Sequence, residues 1–273
     1  MTTVNDPALW LSAFPWPSPD AHKHDRGRLG VVSGSTLKTG AARLAARAGL
    51  RIGSGLVRIL CPPDAAPIVA ATVEAIMVDD FNSPEALARL SEPLDAVVIG
   101  PAAGLTEATA LNVAALGRTG AALIVDADAL TLFKDRTRDL FACLDRDDVL
   151  TPHEGEFERI FPGLLSQGRE AAARTAAERA GTVVVLKGRE TVIASPDGRL
   201  VVNGNGTPWL ATAGSGDVLA GLIGGLIAQR MDSFDAACAA VWIHAEAGAA
   251  FGPGLIAEDL PDGIPAVLRS LRV

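Results

Sequence analysis

Residues Thr212–Gly221 read TAGSGDVLAG, a glycine-rich turn that leads directly into an apolar helix. Glycine lets backbone N–H groups approach an anion closely, and the first turn of a helix adds unsatisfied donors and a partial positive charge. Gly214, Ser215 and Gly216 are therefore candidate phosphate contacts. Asp217 is a candidate base for a hydroxyl proton. The alternative is an ordinary turn in which Asp217 only favours a helix N-terminus.

Outward from this turn, short apolar runs alternate with Ala-rich helical stretches, as in an α/β fold. Runs of about four apolar residues without polar alternation predict strands buried on both faces. The predicted strands are Leu29–Val32, Leu56–Leu60, Ala75–Val78, Ala96–Ile99, Ala122–Val125, Val149–Leu150, Thr182–Leu186, Val192–Ala194 and Leu200–Val202. The predicted helices are Gly40–Ile52, Pro84–Ser91, Glu107–Arg118, Gly155–Phe161, Gly168–Ala180, Gly214–Arg230, Phe234–Phe251 and Pro265–Leu271. Helices between successive strands predict right-handed crossovers and a mainly parallel central sheet with helices on both faces, a three-layer arrangement.

The segment Thr182–Val202 departs from this alternation, because three strands follow one another there with turns between them. It predicts an antiparallel meander at the sheet edge. Residues 1–26, rich in Pro, Asp and His, predict an extended N-terminal arm. Residues 27–273 contain no linker, internal repeat or charge block, so they predict a single domain.

The composition narrows the classes of function. The chain has 273 residues, 49% of them hydrophobic, and a formal net charge of -8, which is unfavourable for binding a phosphate backbone. Three widely spaced cysteines suit a reducing compartment. The longest apolar run is about half the ~20 residues of a membrane-spanning helix. We therefore expect a soluble cytoplasmic protein that binds neither nucleic acid nor a membrane.

Polar residues follow several predicted strands, where open α/β sheets bind their ligands. Lys187, at a strand end beside a glycine, offers charge to a nucleotide; the alternative is a solvated hairpin turn. His153 and Glu156 are three apart and share one side of a first helical turn. Glu156 is a candidate Mg²⁺ ligand and so is Asp126, although both residues also suit helix starts.

Two small-residue turns leave room for a ligand. They contain Ala41, after the first strand, and Gly104, after the fourth; each on its own is more often only a turn. His22, His24 and His244 lack metal-ligand spacing and are interpreted as structural.

Taken in order, seven of these segments resemble the ADP/ATP-dependent NAD(P)H-hydrate dehydratases of the ribokinase-like superfamily, over about Lys23 to Arg269. They are HKHDRGRLGVVSGS, TGAARLAARAGLRIGSGLV, VVIGPAAG, LIVDADAL, LTPHEGEFERI, VVLKGRET and TAGSGDVLAGLI. The resemblance implies a ribokinase-like fold and an ADP-dependent (or ATP-dependent) lyase that uses Mg²⁺ and regenerates NAD(P)H from its hydrate.

The resemblance also assigns roles to residues. It implies that the hydrated dinucleotide contacts Ala41, Gly104, His153 and Asp217, and that Asp217 is the catalytic base. The implied nucleotide contacts are Lys187, Gly188, Arg189, Glu190, Thr191 and Gly216. The motif His153–Glu156 is similar to the Asn-x-x-Glu magnesium motif of sugar kinases, with His in place of Asn.

The resemblance implies further properties and leaves alternatives. Ser33 and the pair Ala102–Ala103 depart from the family pattern, which more often has Gly and Gly-Leu there. Relatives often carry a fused epimerase domain; we expect that activity on a separate protein, and a homotetramer. The alternatives are a small-molecule kinase of the same superfamily, such as a hydroxyethylthiazole kinase, and a non-catalytic nucleotide-binding protein.

Overall fold

The computed structural model describes residues 3–272, and these contain one ten-stranded sheet. Its strands are β1 (Thr3–Val4), β2 (Arg28–Val32), β3 (Leu56–Cys61), β4 (Met77–Asp80), β5 (Ala96–Ile99), β6 (Ala122–Val125), β7 (Val149–Leu150), β8 (Val183–Leu186), β9 (Thr191–Ala194) and β10 (Leu200–Asn203). Their order is β1-β10-β9-β8-β7-β6-β5-β2-β3-β4. Strand β9 runs against its neighbours, and the other pairs are parallel. The predicted mainly parallel sheet with an antiparallel meander is confirmed.

Helices cover both faces of this sheet. They are α1 (Gly40–Ile52), α2 (Ala66–Ala70), α3 (Pro84–Ser91), α4 (Glu107–Leu116), α5 (Ala127–Leu132), α6 (Thr137–Phe141), α7 (Glu154–Ile160), α8 (Arg169–Ala180), α9 (Ser215–Ala228), α10 (Ser233–Phe251) and α11 (Leu260–Leu271). Successive strand residues enter opposite cores: Val98 lies in the core with α1, α9, α10 and α11, and Val97 in the core with α3, α4, α7 and α8. This explains the uninterrupted apolar strands. Among the described helices none has the length and apolarity to cross a membrane.

Helices α1 and α9 pack side by side through glycines. A Cβ atom at Gly221 would lie 2.1 Å from the Ala45 carbonyl oxygen, and one at Gly225 would lie 2.4 Å from a methyl of Ile52. Near the start of both helices, a Cβ at Gly214 would lie 2.7 Å from Leu44. The two helices therefore run in the same direction, and both N-termini lie at the carboxyl edge of the sheet.

The N-terminal arm, predicted as extended, is extended only in part over its described residues. Residues 3–26 contain β1, which pairs with β10 outside the meander, and two short 3-10 helices. Trp10 is fully buried in the core, because its indole packs against Trp242 and its N–H donates to Asn5. The division into an arm and one domain over 27–273 stays a prediction.

Smaller differences have local causes. Strand β4 lies two residues later than the apolar run predicts, because it is an edge strand whose Asp79 pairs with Arg58 of β3 at 2.7 Å. The short helices α2, α5 and α6 lack enough turns to show a helical period. Helix α11 begins at Leu260 and accommodates Pro265 within it.

Candidate active site

The strand order places a crevice at the carboxyl edge of the sheet. The direction in which successive strands are added to the sheet reverses between the parallel strands β2 and β5: β3 and β4 continue from β2 on one side, while β6, β7 and β8 continue from β5 on the other. Ligands of open α/β sheets bind at such a switch point. The loops after β2 and β5 touch there, since a Cβ at Gly34 would lie 2.1 Å from the Ala102 carbonyl oxygen.

Lys187 is the centre of a lysine–carboxylate cluster, which we define as Lys187 with Asp126, Glu156 and Asp217. The Lys187 Nζ atom donates to Asp126 Oδ1 at 2.8 Å and lies 3.9 Å from Glu156 Oε2. Burial lowers the pKa of Lys187, but the charges of the three carboxylates more than compensate, and the pKa lies above its ordinary value. The ammonium therefore stays charged, and the cluster carries a net charge of about −2 when its carboxylates are ionised.

Asp217 lies in the first turn of α9, which opens at the glycine turn. Gly214 precedes the helix with φ +89°, a left-handed conformation that favours glycine, and it provides no side-chain cap. Burial and the charge of Asp126 together raise the pKa of Asp217 to about 6, against the opposing effect of the Lys187 charge. A carboxylate with a pKa just below neutral suits proton abstraction at physiological pH.

His153 and Glu156 form a reciprocal cap on α7. His153 Nδ1 accepts the N–H groups of Gly155 and Glu156, and Glu156 Oε2 accepts the His153 N–H at 2.9 Å. The shared side of the first turn is confirmed. The Nε2 atom of this half-exposed ring lies 3.4 Å from Glu156 Oε1, and His153 lines the cavity described below.

The turn after β8 is held by Arg169, which the sequence does not single out. Its guanidinium donates to the carbonyl oxygens of Leu186, Lys187 and Glu190 at 2.9–3.2 Å and pairs with Glu154. Arg169 looks like an ordinary charged residue at the start of α8, so only the fold reveals this contact.

A cavity of about 940 Å³ opens beside the cluster, within the usual size of ligand pockets of about 300–1,000 Å³. Its lining includes seven of the predicted site residues and a loop before α9. The predicted residues are His153, Lys187, Gly188, Arg189, Thr191, Ser215 and Gly216. Glu190 and Gly214 are not in the lining.

The predicted dinucleotide contacts Ala41 and Gly104 lie outside the cavity lining. Ala41 is in the first turn of α1, one turn before the contact of Leu44 with Gly214. Gly104 donates its N–H to Asp128 at 2.8 Å, which fixes the loop after β5. In that loop Ala102 has φ +54°, a left-handed conformation that favours glycine. This conformation explains why the family pattern more often has glycine at this position.

His244 is interpreted as structural from the sequence, yet it lines the cavity. It is buried, and its Nε2–H donates to the Ser215 carbonyl oxygen at 3.0 Å. Burial lowers the pKa of His244 to about 4, so the ring is neutral. His244 thus ties α10 to the first turn of α9. No local pattern in the sequence indicates this contact.

A buried amide relay also reaches the cavity wall. Asn5 donates to Asn203 at 2.9 Å, Asn203 donates to Asn205 at 2.6 Å, and Asn205 donates to Glu246 at 2.8 Å. Asn203 lines the cavity, and Asn205 directly precedes a loop that also lines it, from Gly206 to Thr212. The N-terminal arm therefore supports the cavity.

The oxygen donors of the cluster suit Mg²⁺ only in part. Within the described residues no three His, Cys, Asp or Glu side chains form a group that could hold a metal ion. The Asp126 side chain does not cap α5. Its Oδ1 atom accepts the hydrogen bond from Lys187, which leaves Oδ2 as the candidate metal ligand. Mg²⁺ is commonly held by one or two carboxylates together with phosphate oxygens and water. Asp126 and Glu156 fit that mode of binding, not an all-protein site.

Comparison of the fold with solved structures defines the class of protein. A ribokinase-like superfamily protein from Enterococcus faecalis has a TM-score of 0.87 at 24% identity and covers 99% of this chain and 96% of its own. The ADP/ATP-dependent NAD(P)H-hydrate dehydratase of Bacillus subtilis, co-crystallised with ATP and Mg²⁺, has a TM-score of 0.86 at 27% identity and covers 99% of both chains. A hydroxyethylthiazole kinase from Pyrococcus horikoshii is more distant, with a TM-score of 0.65 at 19% identity over 91% of this chain and 92% of its own. The fold is ribokinase-like.

Sequence comparison then gives the family. Residues 29–262 match the family model described as NAD(P)H-hydrate dehydratase. A bifunctional NAD(P)H-hydrate repair enzyme of Gloeobacter violaceus is 44% identical over 235 residues, which are 84% of this chain and 46% of the relative. An ADP-dependent (S)-NAD(P)H-hydrate dehydratase of Xanthomonas campestris is 36% identical over 97% of this chain and 96% of the relative. The chain belongs to the NAD(P)H-hydrate dehydratase family. It spans about half the length of the bifunctional relatives and almost all of the Xanthomonas one.

Proposed function

We propose that the protein catalyses the ADP-dependent dehydration of (6S)-NAD(P)H-hydrate to NAD(P)H. The observation that carries this is the position of Asp217, a partly buried carboxylate of raised pKa that directly follows the cavity-lining Gly216 and whose turn packs against the start of α1. The relatives of this protein by sequence include an ADP-dependent (S)-NAD(P)H-hydrate dehydratase that matches over nearly the whole length of both chains. A carboxylate beside a nucleotide cavity suits proton abstraction during phosphoryl transfer.

The chemistry proceeds in two stages. Asp217 accepts the proton of the C6 hydroxyl while that oxygen forms a bond to the terminal phosphorus of ADP, and AMP leaves with the electrons of the broken P–O bond. The nitrogen lone pair of the hydrated ring then expels inorganic phosphate by breaking the C6–O bond. Loss of a C5 proton restores the ring double bond. The products are NAD(P)H, AMP and phosphate.

The residues of the cavity have separate roles in this proposal. Lys187, Gly188, Arg189, Glu190 and Thr191 form the nucleotide-binding turn, and the N–H groups after Gly214 receive the transferred phosphoryl group. Asp126 and Glu156 would hold Mg²⁺ together with the nucleotide phosphates, where the ion would neutralise part of their charge. Ala41, Gly104 and His153 contact the hydrated dinucleotide.

A kinase that releases its phosphorylated product is the second candidate. The hydroxyethylthiazole kinase similarity, at 19% identity, extends to the fold alone. The two functions differ in the fate of the C6–O bond. Cleavage of that bond returns the absorbance of NADH near 340 nm, whereas a kinase leaves a stable phosphate ester.

The test incubates the protein with ADP, Mg²⁺ and (6S)-NADH-hydrate and follows absorbance at 340 nm together with release of AMP and phosphate. We expect Asp217→Asn to lower kcat by at least about a hundredfold, the range of general-base catalysis, with ADP binding within a few-fold. Asp135→Asn, at an exposed position, is the matched control. Wild-type protein that phosphorylates a thiazole alcohol and leaves the hydrate intact would contradict the dehydratase proposal.

Two further expectations belong to this function. The metabolic partner is an NAD(P)H-hydrate epimerase, since relatives called bifunctional repair enzymes are about twice the matched length. The homotetramer and the cytoplasmic location stay predictions.

A further inference from the structure

Arg43, in the first turn of α1, is a partly buried cation without a partner. Its Nε atom is inaccessible to solvent and makes no hydrogen bond within the described residues, and no ion pair or side-chain hydrogen bond joins the rest of its guanidinium to residues 3–272. A nitrogen donor that is removed from water and makes no hydrogen bond costs free energy. Such a group is retained more readily where a ligand supplies the opposite charge.

The guanidinium lies over the N-terminus of its own helix. Side chains on a helix lean toward its N-terminus, and an Nη of Arg43 lies 4.0 Å from the place of a Cβ at Gly40. Thr39 makes no side-chain cap, and the first backbone bond of the helix runs from the Arg43 N–H to Thr39. The N–H groups before it point in the same direction as the guanidinium.

This position lies at the switch point of the sheet. The loop from β2 to α1 touches the loop after β5 through Gly34 and Ala102, and Leu44, next to Arg43, contacts Gly214. The first turn of α1 is therefore beside the turn that carries Asp217, and none of its residues lines the 940 Å³ cavity.

The proposed substrate needs a cation in this place. A nicotinamide dinucleotide carries two negative charges on its pyrophosphate. Lys187 is already surrounded by carboxylates, and its cluster has an excess of negative charge. Arginine matches phosphate oxygens with two parallel N–H donors.

We propose that Arg43 binds the pyrophosphate of the hydrated dinucleotide, with the N-terminal N–H groups of α1. The proposal rests on the proposed function for the identity of the anion. It extends the substrate site from the nicotinamide end, near Asp217, along the start of α1. The site is selective for the dinucleotide over the nicotinamide mononucleotide, which lacks the bridge.

The test compares Arg43→Gln with Arg47→Gln. Arg47 is one turn further along the same helix face, is exposed, and is held by Asp262 at 2.5 Å. Titration calorimetry measures the Kd of NADH and NADPH, and steady-state assays measure KM for NADH-hydrate, KM for ADP and kcat. We expect Arg43→Gln to weaken NADH binding and raise KM for the hydrate tenfold to about a hundredfold, the range of charged hydrogen bonds. We expect KM for ADP and kcat within twofold, no change in Arg47→Gln, and partial recovery in Arg43→Lys.

Three results would overturn the inference. They are unchanged NADH binding in folded Arg43→Gln, an equal loss of ADP binding, and a loss confined to NADPH, which would assign Arg43 to the 2′-phosphate. Binding of NADH is measured without turnover. Wild-type protein that binds NADH through Arg43 but does not dehydrate the hydrate would refute the proposed function alone.

Discussion

Lys187 Nζ donates a 2.8 Å hydrogen bond to Asp126 Oδ1 across 61 residues of sequence. Both residues follow parallel strands, β8 and β6, which are separated in the sheet by β7 alone. Asp126 is almost fully buried, with 2% of its side chain exposed, and Lys187 has 19%. Each charge therefore depends on the other, and the pair lies against the glycine turn, where a Cβ at Gly216 would be 3.5 Å from Lys187 Nζ.

Replacing one member of this pair should lower the free energy of unfolding more than replacing both members. We expect Lys187→Met to lower the free energy of unfolding by about 3 kcal/mol, because it leaves buried carboxylates without a cation. The double variant Asp126→Asn/Lys187→Met should recover at least half of that loss. Chemical denaturation of the single and double variants measures the coupling, with Lys134→Met as an exposed control. Additive losses would show that the two residues act independently.

The pH dependence of turnover should report the pKa of Asp217. Since the base must be ionised, kcat/KM should fall below about pH 6. Asp126→Asn removes a charge that raises this pKa, so its acid limb should move to lower pH. Lys187→Met removes a charge that lowers it, so its acid limb should move to higher pH. Shifts in the same direction for both variants would contradict the assignment of the acid limb to Asp217.

Asp217 also makes the stability of the protein depend on pH, and its raised pKa fixes the direction of that dependence. Its pKa is about 6 in the folded protein and near 3.8 in the unfolded chain, so the folded state binds more protons between these values. Its contribution to stability is fully present below about pH 3.8 and is lost as the pH rises through about 6. We expect Asp217→Asn to melt above wild type at pH 8, with a difference that shrinks toward pH 4. Melting curves by circular dichroism at both values measure this, and a difference independent of pH would contradict it.

The amide relay from the N-terminal arm should influence nucleotide binding. Asn5→Ala removes the donor to Asn203 Oδ1 and to the Cys238 carbonyl, both of them buried. We expect a loss of about 1–3 kcal/mol in stability and a several-fold rise in KM for ADP with kcat unchanged. Asn82→Ala, at an exposed position, is the control. An unchanged KM in the folded variant would limit the relay to a structural role.

The contact of α1 with α9 should tolerate no side chain at Gly221. A Cβ there would lie 2.1 Å from the Ala45 carbonyl oxygen, and backbone atoms of two packed helices cannot yield cheaply. We expect Gly221→Ala to lose about 3 kcal/mol or more, as in overpacked cores. Gly120→Ala, with no atom within 4 Å of the added methyl, should be near wild type. Urea denaturation compares the two, and similar midpoints would contradict the packing argument.

Much of the fold was predictable because it is encoded locally. Gly40–Ile52 and Pro84–Ser91 match α1 and α3 in both bounds, and the glycine turn opens α9 one residue from the predicted start. In each case an apolar period or a capping residue is present within the segment. The N-terminal arm and β4 were less predictable, since pairing with β10 and β3 decides their structure.

The sequence by itself determined the alternation of strands and helices, the meander, the glycine turn and the family, because these depend on neighbouring residues and on the order of motifs. The tertiary structure alone decided that Lys187, Asp126 and Asp217 form one cluster, that His244 lines the cavity, and that Arg43 lies unpaired beside the switch point. Those contacts depend on the order of strands in the sheet. Burial and charge compensation, which set the pKa of Asp217, arise only when distant segments exclude water together.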